Sequence, residues 1–203
     1  GLVSTDKYMR GILNKEYGLL PPKGVLSHVT VFELPMYHKL LVVSDVAVIP
    51  YPDLSQKTAI VRYLTATAKV LGVECPKIAA IAPSEQLLAS VQSSVEAAVL
   101  AKMADRGQLG DVVLDGPLAL DVALFEEVAR TKHLSSPVAG DADCLLMPNL
   151  DAANVFFKSA NHLCNASLAA MVAGTKAPCV LTSRGDSAES KLYSIALAAL
   201  SAK

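Results

Sequence analysis

Short apolar runs alternate with capped helical segments from Lys77 to the end of the chain, and this alternation narrows the possible folds more than any other feature. The spacing predicts strands over Lys77 to Ile81, Val112 to Asp115, Cys144 to Met147 and Pro178 to Thr182. Helices are predicted between and after them: one capped by Ser93-x-x-Glu96 with Val95, Val99 and Met103 on one side, then Ala119 to Lys132, Ala152 to Cys164 and Ala188 to Ala202. Strands that alternate with helices in this way build a mainly parallel sheet. The run Cys144-Leu145-Leu146-Met147 lacks period-2 alternation, as expected of a strand covered on both faces. The expected class is therefore α/β, three-layered, with helices on both faces of the sheet. Ahead of Lys77, Ser27 to Leu34 and Lys39 to Ser44 flank Pro35-Met36-Tyr37-His38 and read as an antiparallel hairpin. Asp53 and Gln56 form a capping box for a long helix that stops at Gly72. Ser4-Thr5-Asp6 caps a helix bearing Tyr8, Met9, Ile12 and Leu13.

A chain of 203 residues that is 52% hydrophobic and 18% charged is able to bury a substantial core. Its net charge of -1 supplies no basic stripe for nucleic acid, so any phosphate must be held in a local pocket. No stretch approaches the roughly 20 apolar residues of a membrane span, so a cytoplasmic protein without a membrane partner is expected. Cys75, Cys144, Cys164 and Cys179 lack CxxC spacing and read as reduced core thiols. His28, His38, His133 and His162 show no metal-ligand spacing, so no metal is expected.

The stretch Pro178-Cys179-Val180-Leu181-Thr182-Ser183-Arg184-Gly185-Asp186-Ser187-Ala188-Glu189 is a strand, a polar turn and a helix start. Asp186-x-x-Glu189 reads as a capping box, which leaves first-turn N–H groups near Ser183 and Arg184. Ser183 adds a hydroxyl and Arg184 a planar fork suited to phosphate. The same residues also describe a plain strand-to-helix corner, and Asp186 and Glu189 are explained equally well as helix caps. Asp115-Gly116-Pro117 offers a strand-terminal carboxylate beside a residue that lets backbone approach a ligand, or else a simple βα turn. Asp151 and Asn154 line a cleft or cap the helix that follows. Lys158 lies one turn beyond Asn154.

Taken in order, Asp115 to Asp121, Ser136 to Asp143, Pro148 to Asn154 and Ser183-Arg184-Gly185 resemble the phosphate acetyl/butyryltransferase family, with Asp115 to Asp121 and Ala104-Asp105-Arg106-Gly107 leaning toward its butyryltransferase branch. The resemblance implies an isocitrate/isopropylmalate dehydrogenase-like architecture. It also implies transfer of a butyryl or acetyl group between coenzyme A and inorganic phosphate, which gives an acyl phosphate. Acyl-CoA and phosphate are then substrates, and no tightly bound cofactor is expected. It assigns Ser183 and Arg184 to the reacting phosphate, and Arg10, Asp115, Gly116, Asp151, Asn154 and Gly185 to substrate binding, while for proton handling Glu189 and Asp186 are the nearest replacements for a family carboxylate that this chain lacks. Ser27-His28-Val29 matches the start of a family strand, with His28 facing the cleft. Where acetyl-type members place an Asp seven residues after the Ser, this chain has Ser190.

The breaker cluster Pro21-Pro22-Lys23-Gly24 suggests a boundary. Residues 1–20 and 169–203 are expected to be remnants of a first acyltransferase domain whose N-terminal part is absent, and residues 21–168 a second α/β domain. Uncovered apolar surface on such a piece suggests a homo-oligomer. A competing reading is a non-catalytic acyl-CoA-binding or regulatory module, like the tail domain of a malic enzyme. An oxidoreductase of similar architecture is disfavoured because no dense aspartate cluster is present to hold a divalent metal.

Overall fold

The structure, a computed structural model, describes residues 3–183 and 185–202. Its elements run α1 (Thr5–Leu13), β1 (Ser27–Glu33), β2 (Leu41–Ser44), α2 (Leu54–Val70), β3 (Lys77–Ile81), α3 (Gln92–Asp105), β4 (Val113–Leu118), α4 (Leu120–Leu124), α5 (Glu126–Thr131), β5 (Cys144–Leu146), α6 (Leu150–His162), β6 (Ser167–Ala173), β7 (Cys179–Val180) and α7 (Ala188–Ser201). The strands form one seven-stranded sheet in the order β4-β3-β5-β2-β1-β6-β7. β2, β3, β4, β5 and β6 run the same way, while β1 and β7 run against them. The expected hairpin is β1–β2, with Val31 opposite Val42.

Helices cover both faces. One core packs α4, α5 and α6 on Phe32, Leu41, Val43, Ala79 and Leu145, and Phe32 meets the rings of Phe156 and Phe157 edge-on at 5.7 Å. The other packs α2, α3 and α7 on Val29, Val31, Val42, Ile78, Cys144 and Leu146. Adjacent residues of β5 thus enter opposite cores, which is why its sequence shows no alternation. α1 closes a smaller cluster with Leu26, Val172 and Cys179.

Several expectations are corrected. The hidden element is β6, Ser167-Leu168-Ala169-Ala170-Met171-Val172-Ala173, which pairs with β1 along its whole length. Its alanines carry little strand propensity, but small side chains let α7 approach closely, and the Ser194 hydroxyl accepts the Ala170 N–H at 2.9 Å. Leu168 and Ala169, between which a boundary is expected, are both residues of this strand. The long helix over Ala119 to Lys132 is two short ones, because Phe125 takes an extended conformation (φ -125, ψ 113). Helix α3 starts behind Val91 without a side-chain cap, so Ser93 and Glu96 lie inside it. Cys75 and Cys164 are exposed, and only Cys144 and Cys179 are buried. The box at Asp53 and Gln56 forms as expected, with both of its hydrogen bonds made.

Candidate functional site

The turn between β7 and α7 closes one wall of a cleft. Ser187, not Asp186, caps α7, its hydroxyl accepting from the Ser190 N–H at 3.0 Å. Asp186 is freed from that task and is buried, 7% exposed. Its Oδ2 accepts the Ser183 N–H at 2.7 Å, while Lys191 Nζ donates to its backbone carbonyl at 2.9 Å. His28 on β1 holds the other side of the turn, with Nε2 3.0 Å from the Leu181 carbonyl. A carbonyl only accepts, so Nε2 carries the proton. Burial lowers the pKa of this imidazole against the opposing pull of the Leu181 carbonyl, Asp45 and Asp186, and favours the neutral form.

Opposite the turn stand α6 and the loop after β2. Asp45, 2% exposed, accepts the N–H groups of Ala47 and Val48 through Oδ1 and of Ile49 through Oδ2, at 2.8 to 3.1 Å. That rigid loop brings Val46 and Ala47 to the cleft and gives Asn154 Nδ2 a carbonyl, Val46 O, at 3.3 Å. The result is a 180 Å³ cleft shared by Ser183, Asp186, Asn154, Lys158, His28 and Thr5. With the Ser183 N–H occupied by a carboxylate, the Ser183 hydroxyl and the Lys158 ammonium are the side-chain donors that the described lining offers an anion here.

Of the residues expected to form the site, Ser183, Asp186 and Asn154 come together, and Arg184 lies outside the described residues. The others are elsewhere. Arg10 is exposed on α1 and pairs with Asp6 at 3.0 Å. Glu189 points outward and accepts from the Tyr193 hydroxyl at 2.7 Å. Asp151 takes the Tyr51 hydroxyl at 2.9 Å, because Asn149 already caps α6. Gly185 is exposed, with its N–H 3.4 Å from Ser183 Oγ and open space where a Cβ would stand. Asp115 and Gly116 do not end a strand. β4 continues through them to Leu118 at the far edge of the sheet, about 24 Å from β6 at ~4.8 Å per strand. Gly116 serves packing there, since a Cβ would lie 2.7 Å from the Ala80 carbonyl oxygen. Pro117 is tolerated because β4 is an edge strand.

A second opening lies at the carboxyl ends of the parallel strands. β5 sits between β3 and β2, yet its chain leaves to α6 on one face while both neighbours lead to α3 and α2 on the other. Such a reversal opens a crevice, the usual ligand position in sheets of this kind. It measures 210 Å³ and is lined by Tyr51, Lys57, Ser93, Glu96, Pro148 and Asn149. Lys57 and Glu96 form a buried ion pair in its wall, their side chains 5% and 14% exposed. No sequence motif singled out Lys57, since α2 and α3 are joined only by the fold. A larger hollow, 870 Å³, is a broad depression at the opposite end of the sheet, near Lys77, Arg130 and Asp141, away from both. Among the described residues no cluster of three or more His, Cys, Asp or Glu is placed to hold a metal, and no helix is long and apolar enough to cross a membrane.

The profile described as phosphate acetyl/butaryl transferase matches residues 1–199. The chain is 46% identical over 200 residues to a phosphate butyryltransferase of Clostridium acetobutylicum, covering 98% of this chain and 66% of that protein. It is 40% identical over 200 residues to a phosphate acetyltransferase of Thermotoga maritima, covering 98% and 68%. Among solved structures, a branched-chain phosphotransacylase from Enterococcus faecalis superposes with a TM-score of 0.89 at 34% identity, covering 99% of this chain and 71% of that one. The chain spans about two thirds of the length of the curated relatives it matches. On this match along nearly its whole length, the chain belongs to the phosphate acetyl/butaryl transferase family.

Proposed function

We propose that this protein transfers a butyryl or acetyl group between coenzyme A and inorganic phosphate. The observation that carries the reading is the convergence of the Ser183 turn, Lys158 and Asn154 on one cleft in a chain of this family. The reaction brings a phosphate oxygen onto the thioester carbonyl carbon, breaks the carbon–sulfur bond and releases the thiol. Its barrier falls when the anion is held in place and the developing oxyanion meets preorganised donors. Ser183 and Lys158 supply donors at the cleft, and Arg184 supplies the phosphate fork. Asp186 holds the turn through the Ser183 N–H, which makes it a positioning group rather than the base. A thiol of pKa ~8.5 leaves as thiolate with modest help. The isocitrate/isopropylmalate dehydrogenase-like class, a cytoplasmic location and the absence of membrane and nucleic-acid partners belong to the same proposal.

Thiol release from butyryl-CoA and acetyl-CoA by the purified protein, with and without phosphate, tests the reading. Phosphate-dependent release is expected. Binding of acyl-CoA without release would favour the non-catalytic module instead. Arg184→Lys keeps the charge and loses the fork, and is expected to cost roughly 2–4 kcal/mol in transition-state stabilisation, about 10² to 10³ in rate. Unchanged kinetics for phosphate would place the anion elsewhere. Self-association is proposed through α7, which exposes Leu192, Ile195 and Leu200 at 59 to 63%. A monomer in sedimentation at micromolar concentration would remove that proposal.

A further inference from the structure

Lys57 is a buried cation with unspent hydrogen-bonding capacity. An ammonium has three donors, and among the described residues Glu96 Oε2 is the one side-chain acceptor of Lys57 Nζ. Glu96 uses both oxygens, its Oε1 accepting from Gln92 Nε2 at 2.8 Å. The remaining Lys57 donors lie in the wall of the 210 Å³ crevice. Leaving a buried donor unmet costs about 1–3 kcal/mol, so a group that accepts gains by entering the crevice.

The charge balance limits what that is. Lys57 and Glu96 cancel, and Tyr51 at the rim leans on the carboxylate of Asp151. A phosphate would meet two carboxylates, and a second cation would meet Lys57. The side chains of Ser93 and Asn149 both donate and accept. A neutral group bearing carbonyls and N–H groups together, an amide, matches this set. The crevice also adjoins the reacting cleft. Asn149 lines one and Asn154 the other, about 7.5 Å apart along α6 at 1.5 Å per residue, and the loop that presents Val46 and Ala47 to the cleft continues to Tyr51 in the crevice.

We propose that the crevice around Lys57, Ser93 and Asn149 is a binding site for the amide-bearing arm of the acyl-CoA thioester, with Lys57 donating to an arm carbonyl. The proposal rests on the acyl-transfer reading. A thioester whose carbonyl lies beside Ser183 lays its arm across the 45–51 loop into this crevice, so the two pockets divide the substrates, phosphate and acyl group in one and arm in the other.

The test uses pantetheine, the arm as a free thiol, titrated calorimetrically into the protein, with ethanethiol as the control without amides. The double variant Lys57→Met/Glu96→Gln removes the donor without stranding a charge, and Ser93→Leu fills the crevice while leaving the pair intact. Pantetheine is expected to bind the native protein and to lose at least tenfold in affinity in both variants, with ethanethiol the same throughout. In turnover, KM for butyryl-CoA should rise about tenfold while KM for phosphate stays fixed. Native-like thermal unfolding of Ser93→Leu keeps the result interpretable if the double variant is unstable. Equal pantetheine affinity in native protein and Ser93→Leu overturns the site, as does a rise in KM for phosphate in the same ratio as for butyryl-CoA. If the native protein releases no thiol yet binds pantetheine through Lys57, the acyl-transfer reading falls and the site stands.

Discussion

The two ends of the sheet each hold lysines in ion pairs, part-exposed at one end and buried at the other, and they are used differently. At the amino ends of β3 and β5, Lys39 Nζ donates to the Asp141 carbonyl at 2.7 Å, to Asp141 Oδ1 at 2.8 Å and to Asp143 Oδ1 at 2.8 Å. Lys77 Nζ holds Asp141 Oδ2 at 2.7 Å, and Asp143 Oδ2 takes the Lys77 N–H at 2.8 Å. All three donors of Lys39 are spent on its neighbours, so this end is a knot that ties the hairpin to β3 and β5. At the carboxyl ends, Lys57 has one side-chain acceptor among the described residues and a cavity beside it. A satisfied charge network specifies structure, whereas a partly satisfied one in a crevice marks a place for a ligand. The 870 Å³ depression lies at the end tied by Lys39, so size does not single out the crevice beside Lys57.

The largest effect expected at the knot comes from Lys39→Met, which takes the cation from Asp143, 7% exposed and left with the Lys77 N–H, and leaves partly exposed Asp141 to Lys77 and His38. We expect a loss of about 3 kcal/mol in urea unfolding with turnover per folded molecule unchanged; a fall in turnover with intact stability would erase the distinction between the ends. His28→Leu removes the donor from the Leu181 carbonyl and should cost about 2 kcal/mol. It should also weaken phosphate more than acyl-CoA, and equal losses in both KM values would show that the imidazole supports the fold alone.

The acid limb of stability reports the knot more gently. Burial alone would raise Asp141, but hydrogen bonds from Lys39, Lys77 and His38 outweigh it and hold the carboxyl well below its ordinary range. A depressed carboxylate contributes stability that is fully present above its unfolded value near pH 4 and is lost as pH falls toward the folded value. Because the Asp141 side chain is 44% exposed, screening leaves about 1 kcal/mol. Asp141→Asn should flatten the limb below pH 4 and leave neutral-pH turnover alone; an unchanged limb would assign acid sensitivity to other groups. Smallest of all, Arg130→Ala in the wide depression breaks an exposed pair with Glu126 at 3.2 Å and should change stability by about 0.3 kcal/mol. A loss of activity there would reinstate the depression as a functional site.

Elements with local signals were legible in the chain. The Asp53–Gln56 box, the Ser4 cap, the β1–β2 hairpin and the apolar run of β5 each depend on residues close in sequence. β6 was not, because its alanines are chosen for the closeness of α7 and of the helices on the other face, which no window of sequence contains. The cap of α7 lies at Ser187, one residue after the Asp186 that the Asp186-x-x-Glu189 spacing suggests. The difference matters, since it turns Asp186 inward to hold Ser183. Asp115-Gly116-Pro117 looked like a strand end because Gly-Pro is a common turn, but β4 lies at an edge and tolerates both.

By itself, the sequence determined the α/β class, the helix starts at Ser4 and Asp53, the hairpin and the family, because propensities, caps and ordered motifs are local or are read in chain order. Only the tertiary structure decided which motif residues meet. Ser183, Asp186 and Asn154 share a cleft with His28, which comes from a strand early in the chain, while Asp115 is carried to the opposite edge. The pairing of Lys57 with Glu96 was likewise decided there, because strand order and the faces chosen by the crossovers set distances that residue spacing along a chain does not encode.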